Sequence, residues 1–425
     1  MKATNKTIQD INVHYHKTTQ FKTVFFSVKF IGRFLPETVN ARALLPDLLL
    51  SGTRRFPSKL QIQKELNRLY GTDIQVHTSK MGLNSVISFD MTLVNGEFLP
   101  GKPQLLEEAV QLLSEVIYHP KRIRNRFRKN RFDEEKRQLR EELEADYHDK
   151  VSYAFSRFRK QMFQDELYRY SANGDLESLE EVTLERIEDC YQTMCFSDQV
   201  QIYVAGDFDE KLCDHWIARY FFGSKKAKIS DWLDRETRPV TAMRDIEEFG
   251  DLNQSRIIVG FRSGIESADN LYYPMSLFNT LLGESDQAKL FLKIREENQL
   301  SYDISSVYVP NKGVLMVMAG VDNNKEEETI AKILEVIESF GPDLVSEEDL
   351  QLAKEMMRKR IIQTYDSLHQ IVQKIFFDER IYGHHQPLKT VLSLIDQVSI
   401  QEILQAKESL ILDTIYRLRK AGEAT

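Results

Sequence analysis

Apolar and polar residues alternate with period two over 24–30, 74–78, 85–91, 256–261 and 313–319. Successive strand side chains point to opposite faces, so these stretches predict half-buried strands. Over 104–118, 132–147, 326–340 and 347–378 the apolar positions recur every three or four residues, which predicts helices. The pattern also repeats. Val182-Thr-Leu-Glu-Arg-Ile opens a helix that leads to a strand closed by Gly206, and Val398-Ser-Ile-Gln-Glu-Ile opens another that leads to a strand closed by Gly422. Val to Gly is 24 residues in both, and Thr183 and Ser399 hold equivalent N-cap positions. A second pair agrees. Leu49-Leu-Ser-Gly52 precedes Asp73 by 21 residues, and Leu281-Leu-Gly283 precedes Asp303 by 20. Two copies of one unit are expected, each with the order strand, helices, strands, long helices, strand.

Mixed strands and long helices in this order imply an α+β fold: two similar domains, each a mostly antiparallel sheet with helices packed on one face. The expected boundaries are 1–220 and 251–425, joined by a linker at 221–250. That segment is polar, holds Gly223-Ser-Lys-Lys-Ala-Lys and Arg238-Pro, and breaks the periodicity.

Composition narrows the function classes. With 425 residues and 42% hydrophobic content the chain can bury sizeable cores. A formal net charge of -8 argues against a nucleic-acid partner. No apolar run approaches the roughly 18 residues of a membrane span, and the first residues lack the apolar centre of a signal peptide. A cytoplasmic protein with no membrane partner is expected. Cys190, Cys195 and Cys213 are too few and too scattered for a disulfide framework, and read as buried, inert thiols. Phosphate-binding, dinucleotide and serine-hydrolase signatures are absent. Residues 121–146 open basic and turn acidic. A nucleic-acid arm is one reading; a solvated helix laced with i,i+4 pairs is the better one. His14-x-His16 and His384-His385 lack a surrounding carboxylate pattern and read as packing or surface features.

Residues 43–53, Ala-Leu-Leu-Pro-Asp-Leu-Leu-Leu-Ser-Gly-Thr, are followed by Arg54, Arg55, Phe56 and Pro57. Their setting resembles the zinc-motif helix of the insulinase/pitrilysin/mitochondrial processing peptidase family. There His-x-x-Glu-His precedes an apolar run, Gly-Thr and a basic turn. Counting back from Gly52 puts Ala43, Pro46 and Asp47 where the two His and the Glu would stand. Residues 294–304, Ile-Arg-Glu-Glu-Asn-Gln-Leu-Ser-Tyr-Asp-Ile, are similar to the family's Arg-Glu-x-x-x-Leu-x-Tyr signature, with Arg295, Leu300 and Tyr302 in place. Gly206-Asp207 and Gly174-Asp-Leu-Glu-Ser-Leu also look like the family, so the resemblance runs from about residue 10 to the C-terminus.

The resemblance implies a metallopeptidase-clan fold without the helix-borne zinc site. Glu141 aligns with the family's third ligand and could not hold the ion alone. No metal or other cofactor is expected in this chain. It implies a division of labour: Arg295 and Tyr302 hold the substrate backbone and the oxyanion for a motif-bearing paralogous subunit, where zinc is expected. The peptide would add to the sheet edge at 72–79. The alternative is a peptide-binding or scaffold protein of the same fold with no part in hydrolysis.

Overall fold

The computed structural model describes residues 2–101, 103–224, 232 and 239–421. Its strands are β1 (Lys2–Ile8), β2 (Ile11–Lys17), β3 (Thr23–Arg33), β4 (Asp73–Met81), β5 (Asn84–Val94) and β6 (Gln199–Gly206), then β7 (Arg244–Gly250), β8 (Ser255–Arg262), β9 (Ser301–Val309), β10 (Val314–Val321) and β11 (Ile411–Lys420). All five period-two stretches lie on strands. The first sheet has the order β1-β2-β6-β3-β5-β4 and the second β7-β11-β8-β10-β9. Apart from β1, the two orders are the same. Polarity matches as well: β2 runs parallel to β6 and β7 to β11, and the other pairs are antiparallel. The expected α+β architecture of two similar halves is what the chain adopts.

The repeated helix starts carry the expected caps. Thr183 accepts from the Arg186 N–H ahead of the helix Leu184–Phe196, and Ser399 forms a full capping box with Glu402 ahead of Ile400–Glu408. Gly422 lies outside the described residues. So do 225–231 and 233–238, the middle of the expected linker, while its last seven residues form β7.

The chain interleaves its two compact units. One comprises residues 1–144, 170–232 and 367–373, the other 145–169, 233–366 and 374–425. The helix expected over 347–378 is broken where the chain passes between units: Glu347–Gln363 ends in a tight turn, Thr364–Asp366, and Leu368–Ile381 follows. No glycine or proline marks the break. The Thr364 hydroxyl bonds back to the Ile361 carbonyl at 2.6 Å, a side-chain bond that competes with helix continuation. The next helix restarts with the Ile371 N–H on the Ser367 carbonyl at 2.9 Å.

In the first unit, the core packs Phe26, Val28 and Phe30 of β3, Ile87, Phe89 and Met91 of β5, and Ile202 and Val204 of β6 against helix α1 (Val39–Leu50) and helix α3 (Leu105–Tyr118). Helix α2 (Lys59–Arg68) lies between α1 and β4 in sequence. Buried Arg42 on α1 ties into this unit through Asp198 at 2.7 Å and Ser85 at 2.9 Å. Asp198 fills the space beside Gly32, where a Cβ would stand 2.2 Å from its carboxylate. In the second unit, Ile257 and Val259 of β8 and Leu315 and Val317 of β10 pack on the helix Tyr272–Gly283. Helix α5 (Lys150–Met162) covers the opposite face of that sheet.

Candidate functional site

Pro46 sits inside α1, yet the helix continues to Leu50. A proline at this place removes the N–H that would bond the carbonyl of Arg42. The structure supplies a replacement: the Thr78 hydroxyl, on β4, donates to the Arg42 carbonyl at 3.1 Å. Ala43 and Asp47, four residues apart, share the partly open stripe of α1, and Pro46 is buried.

The carboxylates near Asp47 lie on helix α4 (Lys129–His148). Burial raises the Asp47 carboxyl, Glu142 raises it further, and Lys59 offsets part of this. Glu135 is raised by its own burial, with Asp47 adding to the effect against Lys59. Glu135 and Glu142 are seven residues apart, two helical turns on one face. Glu141 is not brought to this place: its side chain is exposed and pairs with Arg137 at 3.8 Å. The helix face toward Asp47 is therefore one residue off the sequence alignment. Imidazole ligands are missing, and burial biases the Asp47 and Glu135 carboxyls toward the protonated form. The residues present do not fit a zinc ion held in the manner of the family. Among the described residues, no group of three or more His, Cys, Asp or Glu is placed to hold a metal.

The expected peptide-binding segment, 72–79, falls on β4, which is an edge strand of the first sheet. Its Ile74 turns into the core, and Asp73, Gln75 and His77 on the other face are exposed.

Arg295 and Tyr302 are brought to one cleft in the second unit, and their spacing has a structural origin. Arg295 lies in the wide helical turn Phe291–Glu297. That turn closes with Gln299 in the left-handed region (φ 51°), Gln299 N–H bonding the Arg295 carbonyl at 3.2 Å and Leu300 N–H the Ile294 carbonyl at 2.9 Å. The Gln299 bond is that of an αL cap, the Leu300 bond reaches one carbonyl beyond the usual because the turn is wide, and Leu300 and Ile294 both lie in the core. β9 starts at once, so Tyr302 follows Arg295 by seven residues. Together with Glu296, Gln299, Asp322 and Lys325 they line a cleft of about 500 Å³. Arg295 is 46% exposed, its guanidinium 4.8 Å from the Phe291 ring centre. Tyr302, on the edge strand β9, is 53% exposed.

The Tyr302 hydroxyl donates to Asp322 Oδ1 at 2.7 Å, and this bond raises the phenol above its usual pKa. Lys325 stands 3.8 Å from the same carboxylate and donates to the Gln299 carbonyl at 3.1 Å. The cleft thus offers the Arg295 guanidinium, whose Nε stands 4.0 Å from Glu296, and one donor already committed to a carboxylate. Sequence reasoning missed Asp322 and Thr78. Asp322 follows β10, 20 residues from its partner, and carries no motif of its own. Thr78 was legible only as the answer to a question about the donor that Pro46 removes.

The other sequence candidates fall as follows. The three thiols are free and buried, with burial pushing Cys190 up to about 11 and Cys195 up to about 12. His14 stacks on Tyr203 with ring centres 4.4 Å apart. His385 does have a carboxylate, Asp378, 2.9 Å from its Nδ1 and seven residues back on the helix Leu368–Ile381. Among the described residues, no helix is long and apolar enough to cross a membrane.

Comparison with known proteins agrees with this geometry. Residues 181–357 match the family described as "Peptidase M16 inactive domain". The chain is 29% identical to the probable inactive metalloprotease YmfF of Bacillus subtilis, over 96% of both chains, and 21% identical to the uncharacterized zinc protease YmxG of the same organism, over 69% of this chain and 70% of that one. Its fold superposes on a conserved protein from Enterococcus faecalis with a TM-score of 0.93, 26% identity and full coverage of both chains. A peptidase M16 inactive domain from Pseudomonas fluorescens follows with a TM-score of 0.76 at 17% identity, over 100% of this chain and 99% of that one. Along nearly its whole length the chain is thus similar to proteins of the peptidase M16 family. The relatives it resembles include YmfF, which is described as probably inactive.

Proposed function

We propose that this chain is the non-catalytic, substrate-binding subunit of a two-chain zinc peptidase. The observation that carries the reading is the pairing of a motif helix with no imidazole (Ala43, Pro46, Asp47) with an Arg295–Tyr302 cleft held by the turn chemistry of its own segment. In this reading the chain's residues bind and orient. The open edge of β4 takes an extended peptide as an added strand, backbone to backbone. The Arg295 guanidinium, a planar fork of donors, holds a carbonyl oxygen on which negative charge develops. Tyr302 adds a second donor once its hydroxyl turns from Asp322 to the substrate. Zinc belongs to the partner, a paralogue carrying His-x-x-Glu-His. Three buried free thiols support a reducing compartment, and we place the complex in the cytoplasm.

One observation favours a second reading, a peptide-binding scaffold with no part in hydrolysis: the Tyr302 hydroxyl already donates its hydrogen bond to Asp322. Pull-down from the native cell, followed by a zinc and peptidase assay of the complex, separates the two. The chain alone is expected to be inactive, and the reconstituted pair active. Arg295→Ala or Tyr302→Phe should then lower the rate of the pair by roughly 10²-fold, the scale for one oxyanion donor. A pair indifferent to both changes leaves only the scaffold.

A further inference from the structure

Residues 121–131 read Lys-Arg-Ile-Arg-Asn-Arg-Phe-Arg-Lys-Asn-Arg, seven cations and no acid in a chain of net charge -8. At their centre the chain makes a two-residue turn. Ile123 and Arg126 exchange both backbone hydrogen bonds, at 2.9 and 3.0 Å, and the residues between them, Arg124 (φ 51°) and Asn125 (φ 62°), are both left-handed. Such a turn favours Asn or Gly at both central positions. Asn125 suits it and Arg124 does not, because a long side chain at positive φ is strained. A loop that only had to reverse direction would do better with glycine at 124.

The turn is held firmly from below. Glu188 accepts from Arg122 at 3.0 Å and from the Phe127 N–H, and the Phe127 ring packs edge-on to Tyr191 at 5.6 Å. Arg122, Lys129 and Arg131 are paired with Glu188, Asp133 and Glu134. Arg124 and Arg126 are exposed and, among the described residues, show no ion pair, nor does Arg128; exposed Arg54, whose N–H bonds the His119 carbonyl, adjoins them. Desolvation, with the guanidiniums of Arg128 and Arg131 adding to it, pushes the Lys121 ammonium below its usual value. Amid these cations Ile123 is 54% exposed.

We infer that this hairpin is a peripheral docking point for an anionic lipid surface, its arginines on headgroup phosphates and Ile123 entering the interface. The choice over nucleic acid rests on two side chains. Phe127, the segment's one aromatic, is 5% exposed and has no face to offer a base. Ile123 gains nothing on a phosphate backbone but partitions into a lipid interface. The absence of a spanning segment, which underlay the expectation of no membrane partner, does not bear on a surface contact.

The test is sedimentation of the full chain with phosphatidylcholine vesicles, with and without phosphatidylglycerol. Binding is expected only to the anionic vesicles and should weaken as salt shortens the Debye length. Arg124→Glu with Arg126→Glu should lower the partition coefficient at least about tenfold, each basic residue being worth roughly fivefold at such a surface. Arg124→Gly should bind less well while its thermal midpoint holds or rises, since it relieves the strained turn. Equal binding to both vesicle types, or wild-type binding by the charge-reversed variant, overturns the inference. Tighter binding to a DNA or RNA duplex than to the anionic vesicles overturns it in favour of nucleic acid.

Discussion

The two sheets share strand order and polarity but solve the burial of their second face in opposite ways. In the second unit that face is apolar: Ile258 of β8, Met316 of β10, and Tyr416 and Leu418 of β11 pack on Ala154, Phe158 and Met162 of α5. In the first unit the corresponding face is polar and still buried. Lys29 of β3 donates to Ser88 at 3.1 Å and to Gln373 at 3.4 Å. Asp90 of β5 takes the Ser27 hydroxyl on one oxygen, with Lys29 at 4.0 Å, and presents the other to His369 at 3.4 Å, Gln373 at 3.4 Å and His77 at 3.8 Å. An apolar face is stabilised by area, roughly 25 cal/mol per Å², and tolerates repacking. A polar one holds only while each group has its partner. One topology therefore accommodates a forgiving layer and an exacting one.

The largest expected effect tests the exacting layer. Asp90→Asn keeps shape and leaves the Lys29 ammonium, 1% exposed, without its countercharge. Removing one partner of a buried pair costs about 3–5 kcal/mol, whereas Lys29→Met with Asp90→Leu should cost far less. Denaturant unfolding of the two variants decides this. A single variant within about 1 kcal/mol of wild type would erase the contrast. The apolar layer predicts a smaller loss. A Cβ on Gly260 of β8 would stand 2.5 Å from the Phe158 ring and 2.9 Å from the Met162 sulfur. Gly260→Ala should cost about 1–3 kcal/mol by overpacking. Adding Phe158→Leu should recover part of it, which no backbone effect of Gly260 would allow.

The contrast also explains what the sequence could disclose. Ile257-Ile-Val in β8 and Val314-Leu-Met-Val-Met in β10, read from the sequence as half-buried alternating strands, are in fact near-continuous apolar runs, as strands buried on both faces require. Ser27 and Lys29 in β3, and Ser88 and Asp90 in β5, alternate with apolar residues and imitate a solvated face. Nothing local reveals that Gln373, 283 residues beyond Asp90, covers them. The candidate site divides along the same line. That Arg295 and Tyr302 would lie close together could be read from the sequence because their spacing is fixed within one continuous turn. Glu141 was misplaced because a helix face depends on how α4 is rotated about its axis, which a linear count does not carry.

The smallest prediction concerns pH and touches only the polar layer. Burial lowers the pKa of the His77 imidazole, with Lys29 and His369 adding to the effect and Asp90 opposing it. Its folded value therefore lies below 6.5, so the unfolded chain takes up the proton first. The stability this ring contributes is complete above 6.5 and is lost as pH falls through the folded value. Asp90 follows at lower pH. Burial would raise its carboxyl, but His369, Lys29 and Ser27 together hold it below 3.8. Its contribution is present above 3.8 and lost as pH falls through that lower folded value. His77 is half-exposed, so solvent screening limits its step to about 1 °C in thermal midpoint between about pH 7.5 and 5.5. His77→Gln should flatten that step and leave the later, acidic one in place. If the step survives in His77→Gln, the ring does not report on the Lys29–Asp90 layer, and the groups titrating between neutral and mildly acid pH lie elsewhere in the fold.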